Sequence, residues 1–133
     1  MTRREARENV FKLIFEIPFY GVERYEERLD FFFDNINEEI SKDDKQYIIS
    51  TITNCFKNVA DIDEQIAPNL KNWKIERLSK VDLSILRLAV TEISYLDSIP
   101  AKVTVNEAVN IAKTYGDDNS PSFINGVLAC FVK

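Results

Sequence analysis

Histidine is missing from this chain altogether, and glycine occurs only three times, at Gly21, Gly116 and Gly126. The first absence removes Ser-His-Asp and Cys-His nucleophilic arrangements and the usual histidine-bearing zinc sites. The second leaves no phosphate-cradling loop and no dinucleotide fingerprint, because the glycines are too dispersed for either. Cysteine is scarce as well. Cys55 and Cys130 stand far apart, each among apolar neighbours, and read as small buried hydrophobes instead of a disulfide or redox pair. No apolar run nears the ~18 residues that a membrane span needs. Arg3 and Arg4 are followed by an interrupted, charged pattern, not a signal-peptide core. With no catalytic constellation, metal ligand set or cofactor loop, an enzyme is not expected. A soluble cytoplasmic protein is.

The 133 residues suit a single domain over residues 1–133, and an apolar fraction of 45% is enough for a real core. The net charge of −5 argues against a nucleic-acid partner until its distribution is read. Residues 22–45 hold nine acids against four bases, which is the whole excess. Residues 1–21 carry four bases against three acids, and residues 46–133 carry nine against ten. Lys71, Lys74, Arg77, Lys80 and Arg87 outnumber Glu76 and Asp82 over a short span. A local basic patch can bind phosphates while the rest of the surface stays acidic.

Helix starts are legible. Thr2 with Glu5, Ser41 with Asp44, Ser79 with Asp82 and Thr104 with Glu107 each place a hydroxyl three residues before a carboxylate, ahead of apolar periodicity. The spacing predicts helices from Arg3 to Ile17, where Pro18 ends the first, and from about Val22 to Ile36. A third follows Ser41, a short one covers Asp61 to Ala67 before Pro68, and Trp73 lies in a lysine-rich connector. The segment after Ser79 is apolar around most of its circumference, which marks a central buried helix. Thr104 is expected to start the next helix, capped by Gly116, and Ser120-Pro121 to cap and open the last. No hairpin signal lies between alternating strands, so the fold class is all-α.

The first helix holds the clearest physical anomaly. At about 100° per residue, Arg3, Arg4 and Arg7 point the same way as Ala6, Val10, Phe11 and Ile14, not toward the polar face. They also stand at a helix N-terminus, where the macrodipole disfavours cations. Either they meet RNA or another polyanion, or they snorkel and pair with acids on a neighbouring helix. Lys113, Tyr115 and Phe123 flank the polar loop from Gly116 to Pro121, and aromatic rings beside cations suit single-stranded RNA. The competing reading places Phe123 in the core, at helical spacing with Val127. Arg87 lies on the narrow polar strip of the central helix and can reach a ligand or a carboxylate. Glu92 falls inside the apolar arc of that helix and must be paired, or lie at an interface. Asp82 reads as the reciprocal cap of Ser79.

Several runs then resemble one known family. The opening Arg3-Arg4-Glu5-Ala6-Arg7-Glu8, the stretch Val81 to Ala89 with Glu92, Ile99-Pro100, the run VTVNEAVNIAK from Val103 to Lys113, and Phe123-Ile124-Asn125-Gly126-Val127-Leu128 are similar, in order, to the NusB family of transcription antitermination factors. Residues 22–72 contribute little to the likeness. The resemblance implies a single compact domain of about seven helices in two small bundles. It also implies binding of boxA RNA together with the ribosomal protein NusE, within an RNA polymerase antitermination complex that promotes read-through, notably in rRNA operons. No cofactor, metal or membrane is implied, and a homodimer remains open. Carried over residue by residue, Arg3, Arg4, Arg7, Arg87, Lys113, Tyr115 and Phe123 match RNA-facing positions, and Phe15 and Asp82 match the NusE-facing surface. Glu5 interrupts the basic run, and Cys130-Phe131 replaces a more polar family ending.

Two other readings compete. A protein-interaction adaptor without intrinsic RNA binding would ignore charge reversal at Arg3 and Arg7. A fragment of an rRNA methyltransferase, to which such domains are also fused, is disfavoured by the lack of a glycine-rich cofactor loop before Lys133. On the RNA reading, Arg7→Glu is expected to weaken binding and flatten its salt dependence while helicity stays intact.

Overall fold

Three hydroxyl side chains start helices where the sequence puts them. Thr2 Oγ1 accepts from the Glu5 amide at 3.1 Å while Glu5 Oε1 accepts from the Thr2 amide at 2.8 Å, a closed capping box. Ser41 Oγ accepts from the Asp44 amide at 3.0 Å and Ser79 Oγ from the Asp82 amide at 3.1 Å. The reciprocal bond closes at Thr2 only, since aspartate is a methylene shorter than glutamate.

The computed structural model describes residues 1–132. Among them lie seven α-helices: α1 (Arg3–Tyr20), α2 (Tyr25–Asn35), α3 (Lys42–Lys57), α4 (Val59–Ile66), α5 (Lys80–Tyr95), α6 (Ala101–Tyr115) and α7 (Ser120–Ala129). Short 3₁₀ turns cover Val22–Arg24, Ala67–Asn69 and Ile75–Arg77. No strand occurs among the described residues, and no helix of theirs is long and apolar enough to cross a membrane. Helices α1 to α3 pack on one another, α4, α6 and α7 gather around α5, and α5 also touches α1 and α3. Ile85, Leu86, Leu88, Ala89 and Val90 of α5 are buried, so the most apolar helix joins the two bundles. Burying each such leucine or isoleucine contributes about 1.5–3 kcal/mol.

Five expectations need correction. Helix α1 does not end at Pro18 but passes through it to Tyr20. A proline so near a helix end forfeits one bond, to the Ile14 carbonyl, while the Gly21 amide still reaches Ile17 O at 3.0 Å. Gly21 stops the helix instead, at φ 113, where a Cβ would also strike the Glu23 carboxylate. The next segment opens as a 3₁₀ turn, and α2 proper begins at Tyr25. Helix α6 starts at Ala101, straight after Pro100, and Thr104 is buried inside it. At the start of α7 the cap position is Asn119 and Ser120 is already helical, with its amide and hydroxyl both held by Asp117. Cys55 is buried, its thiol pushed up to about 12 by that burial, but Cys130 lies exposed just past α7.

Candidate nucleic-acid interface

The three N-terminal arginines all find carboxylates, and the depth at which they do so separates them. Arg3 donates Nε to Asp44 Oδ1 at 2.7 Å and lies over the Tyr47 ring at 4.5 Å, its side chain 42% exposed. Arg4 reaches Glu107 with two bonds, at 3.1 and 2.9 Å, and is 66% exposed. Arg7 is different: its residue is 4% exposed. Its Nε and Nη2 donate to Glu92 at 2.8 and 3.2 Å. Glu92, fully buried, also accepts from Tyr47 Oη at 2.6 Å and Thr104 Oγ1 at 2.7 Å. Four donors from α1, α3 and α6 therefore converge on one carboxylate of α5.

Two sequence anomalies thus resolve each other. Arg7 sits on the apolar stripe of α1 and Glu92 in the apolar arc of α5 because they face one another in the core. Burial opposes the charge on Arg7, yet the hydrogen bonds and charge of Glu92 outweigh it and hold the guanidinium above its ordinary value. Burial also pushes the Tyr47 phenol up, so it stays a donor. Arg7 is therefore not presented to solvent as the opening motif suggested, and only Arg3 and Arg4 of the three offer open guanidinium groups. Thr104 and Glu107, read in sequence as a helix start, instead donate to Glu92 of α5 and accept from Arg4 of α1 respectively.

Tyr115 is half-buried against α1, its ring 5.1 Å from Phe11, its hydroxyl donating to Glu8 Oε2 at 3.0 Å, and Lys12 Nζ 5.8 Å from its ring centroid. Lys113 is exposed on the same last stretch of α6. Phe123 is half-buried on α7 and shares a groove with Trp73, Arg77, Asp117 and Asp82. Asp82, matched in sequence to the protein-partner surface, thus lies beside Phe123, matched to RNA. It does not complete a reciprocal cap with Ser79, and its Oδ1 is buried without a partner. Arg87 is bound through two hydrogen bonds, at 2.9 and 2.8 Å, to Asp63 and lines a cleft of about 140 Å³ with Phe15, Pro18, Phe19 and Leu83. It lies with Phe15, the other partner-matched residue, and not with Tyr115. Sequence reasoning missed Asp44, Asp63 and Glu107 as arginine partners, since ordinary acids carry no signal for contacts across tens of residues. Among the described residues no group of three or more His, Cys, Asp or Glu could hold a metal.

The exposed pairs have a consequence in acid. The Arg4 hydrogen bonds hold the Glu107 carboxyl below its usual range, and those of Arg3 do the same for Asp44. A depressed carboxyl contributes stability that is complete above its unfolded value, about 4, and is lost as pH falls through the folded one. Thermal midpoints should therefore drop as pH falls below about 4, and Arg4→Gln should flatten part of that drop; an identical profile in the variant would count against the pair.

The NusB family profile matches residues 4–133. A transcription antitermination protein NusB of Clostridium novyi is 44% identical over 133 residues, covering 100% of this chain and 99% of that protein. One of Listeria monocytogenes is 50% identical over 129 residues, covering 97% and 94%. Among solved structures, NusB of T. maritima superposes with a TM-score of 0.85 at 36% identity, covering 98% of this chain and 90% of that one. A chain in a crystal structure of a plectonemic RNA supercoil gives a TM-score of 0.80 at 28% identity, covering 98% and 94%.

Proposed function

The chain belongs to the NusB family, and from that premise we propose that it is a transcription antitermination protein that binds boxA-type RNA together with NusE, so that RNA polymerase reads through terminators in rRNA operons. The observation that carries the RNA part is the solvent-facing pair Arg3 and Arg4 at the tip of α1, on a protein of net charge −5. Their carboxylate partners hold them in fixed directions, and a phosphate oxygen can take the place of a carboxylate oxygen at a guanidinium. Lys113 adds charge, Tyr115 and Phe123 add rings on which bases stack, and Arg7 positions the helix that carries the outer arginines. Phe15, with Phe19 5.6 Å away and 60% exposed, suits an apolar anchor of NusE better than Asp82 does. No step of this function is catalytic.

Titration of a boxA-type RNA across a salt series tests the reading. Affinity should fall with salt by about 0.7 log units per log unit for each phosphate held, so the Arg3→Gln/Arg4→Gln double variant should lose about 1.4 from that slope. RNA binding whose slope is the same in both proteins would refute the arginine contacts. NusE capture without any RNA binding would favour the adaptor reading.

A further inference from the structure

Gly126 lies within α7, where glycine weakens a helix relative to alanine, yet nothing in the fold asks for it. Its φ is not positive, and a Cβ built there would meet nothing within 4 Å. Its bare backbone instead borders a groove of about 510 Å³ whose walls are Trp73 and Phe123. Trp73 leaves 57% of its surface in solvent, an unusual place for an indole that serves no packing need. Lys71 is the sole charged side chain lining this groove among the described residues, with Asn69, Asn72 and Ser122 as its polar groups. Over residues 71–79 the connector holds three cations, Lys71, Lys74 and Arg77, against one acid.

We propose that this groove takes a nucleobase of a bound single strand, stacked on Trp73 and Phe123, with Lys71 on a flanking phosphate and the Asn72 amide at the base edge. The proposal rests on the RNA-binding reading and adds where a base is lodged. Flat rings suit any base's π-face, amides suit its polar edge, and the cationic rim suits the phosphates on either side. An apolar peptide side chain would leave the amides and the cations unanswered. Glycine at 126 keeps the groove deep, because each larger side chain on that face of α7 would project into it.

The chain has a single tryptophan, so its emission comes from the wall that Trp73 forms here and in the adjoining groove with Arg77 and Asp82. A dye-labelled single-stranded boxA-type RNA should quench Trp73 as it binds, whereas inorganic polyphosphate, a polyanion without bases, should leave the emission unchanged. Trp73→Ala should weaken the RNA by roughly 5- to 150-fold, the range for one stacked base, with the salt slope unaltered. Gly126→Leu should abolish the quenching with helicity retained. Anisotropy of the labelled RNA separates the possible failures. RNA bound with no quenching and no effect of Trp73→Ala overturns the base site and leaves the arginine reading intact. Loss of NusE capture alone in Trp73→Ala overturns it in favour of a protein-docking groove. No RNA binding by the intact protein, with or without NusE, removes both readings.

Discussion

Replacing Arg7 with alanine should lower the thermal midpoint by about 10–20 °C, since uncovering one member of a buried ion pair costs about 3–5 kcal/mol in a domain of this size. The loss comes from Glu92. It would keep a charge at zero exposure with only Tyr47 and Thr104 donating to it. Because that carboxylate joins α1, α3, α5 and α6, its failure loosens both bundles together. Arg7→Glu should be worse, placing two carboxylates in one dry site, so the expectation that helicity survives charge reversal there is withdrawn. Glu92→Ala should destabilise by a similar amount, and the Arg7→Met/Glu92→Leu double variant should recover much of it, because neither charge is then left unpaired. Melting curves by circular dichroism decide this; a shift of a degree or two in Arg7→Ala would show that the pair is not structural. Well below the midpoint, the RNA salt slope of Arg7→Lys should match that of the parent, which separates positioning from phosphate contact.

The second large effect concerns the junction that sets Tyr115 and Phe123. A Cβ on Gly116 would lie 2.5 Å from Ser120 Cβ and 2.9 Å from the Ala112 carbonyl oxygen. Neither is the far end of a flexible side chain, so the chain itself must move. Gly116→Ala should therefore cost about 1–3 kcal/mol, the range for overpacking, and Gly116→Val more. The movement would pull Ser120 from Asp117, whose amide donates to Ser120 Oγ at 3.1 Å and whose Oδ1 accepts from the Ser120 amide at 3.1 Å. The α6–α7 turn is closed by those bonds, so RNA affinity should fall along with stability. Gly126→Ala is the control in the same region. It meets no atom and should stabilise by about 0.5–1 kcal/mol through helix propensity alone. Equal melting temperatures for the two alanine variants would contradict the close approach at Gly116.

The helical class, the central place of α5 and three of the four hydroxyl caps were legible because they depend on neighbours a few residues away. Thr104 shows where that reach ends. Its hydroxyl and the carboxylate of Glu107 have the spacing of a cap, but Pro100 lets α6 begin a turn earlier, and the two side chains then hold Glu92 of α5 and Arg4 of α1. Pro18 misled for a related reason: a helix one turn from its end tolerates a missing amide, and Gly21 supplies the actual stop. The sequence alone determined that Arg7 and Glu92 were misplaced by polarity, each a charge on an apolar face. Only the tertiary structure decided that they answer each other across 85 residues, that Arg3 and Arg4 stay within reach of solvent, and that Trp73 and Phe123 line one groove. Charge on a stripe is a property of one helix, whereas burial and partnership depend on how separate helices pack.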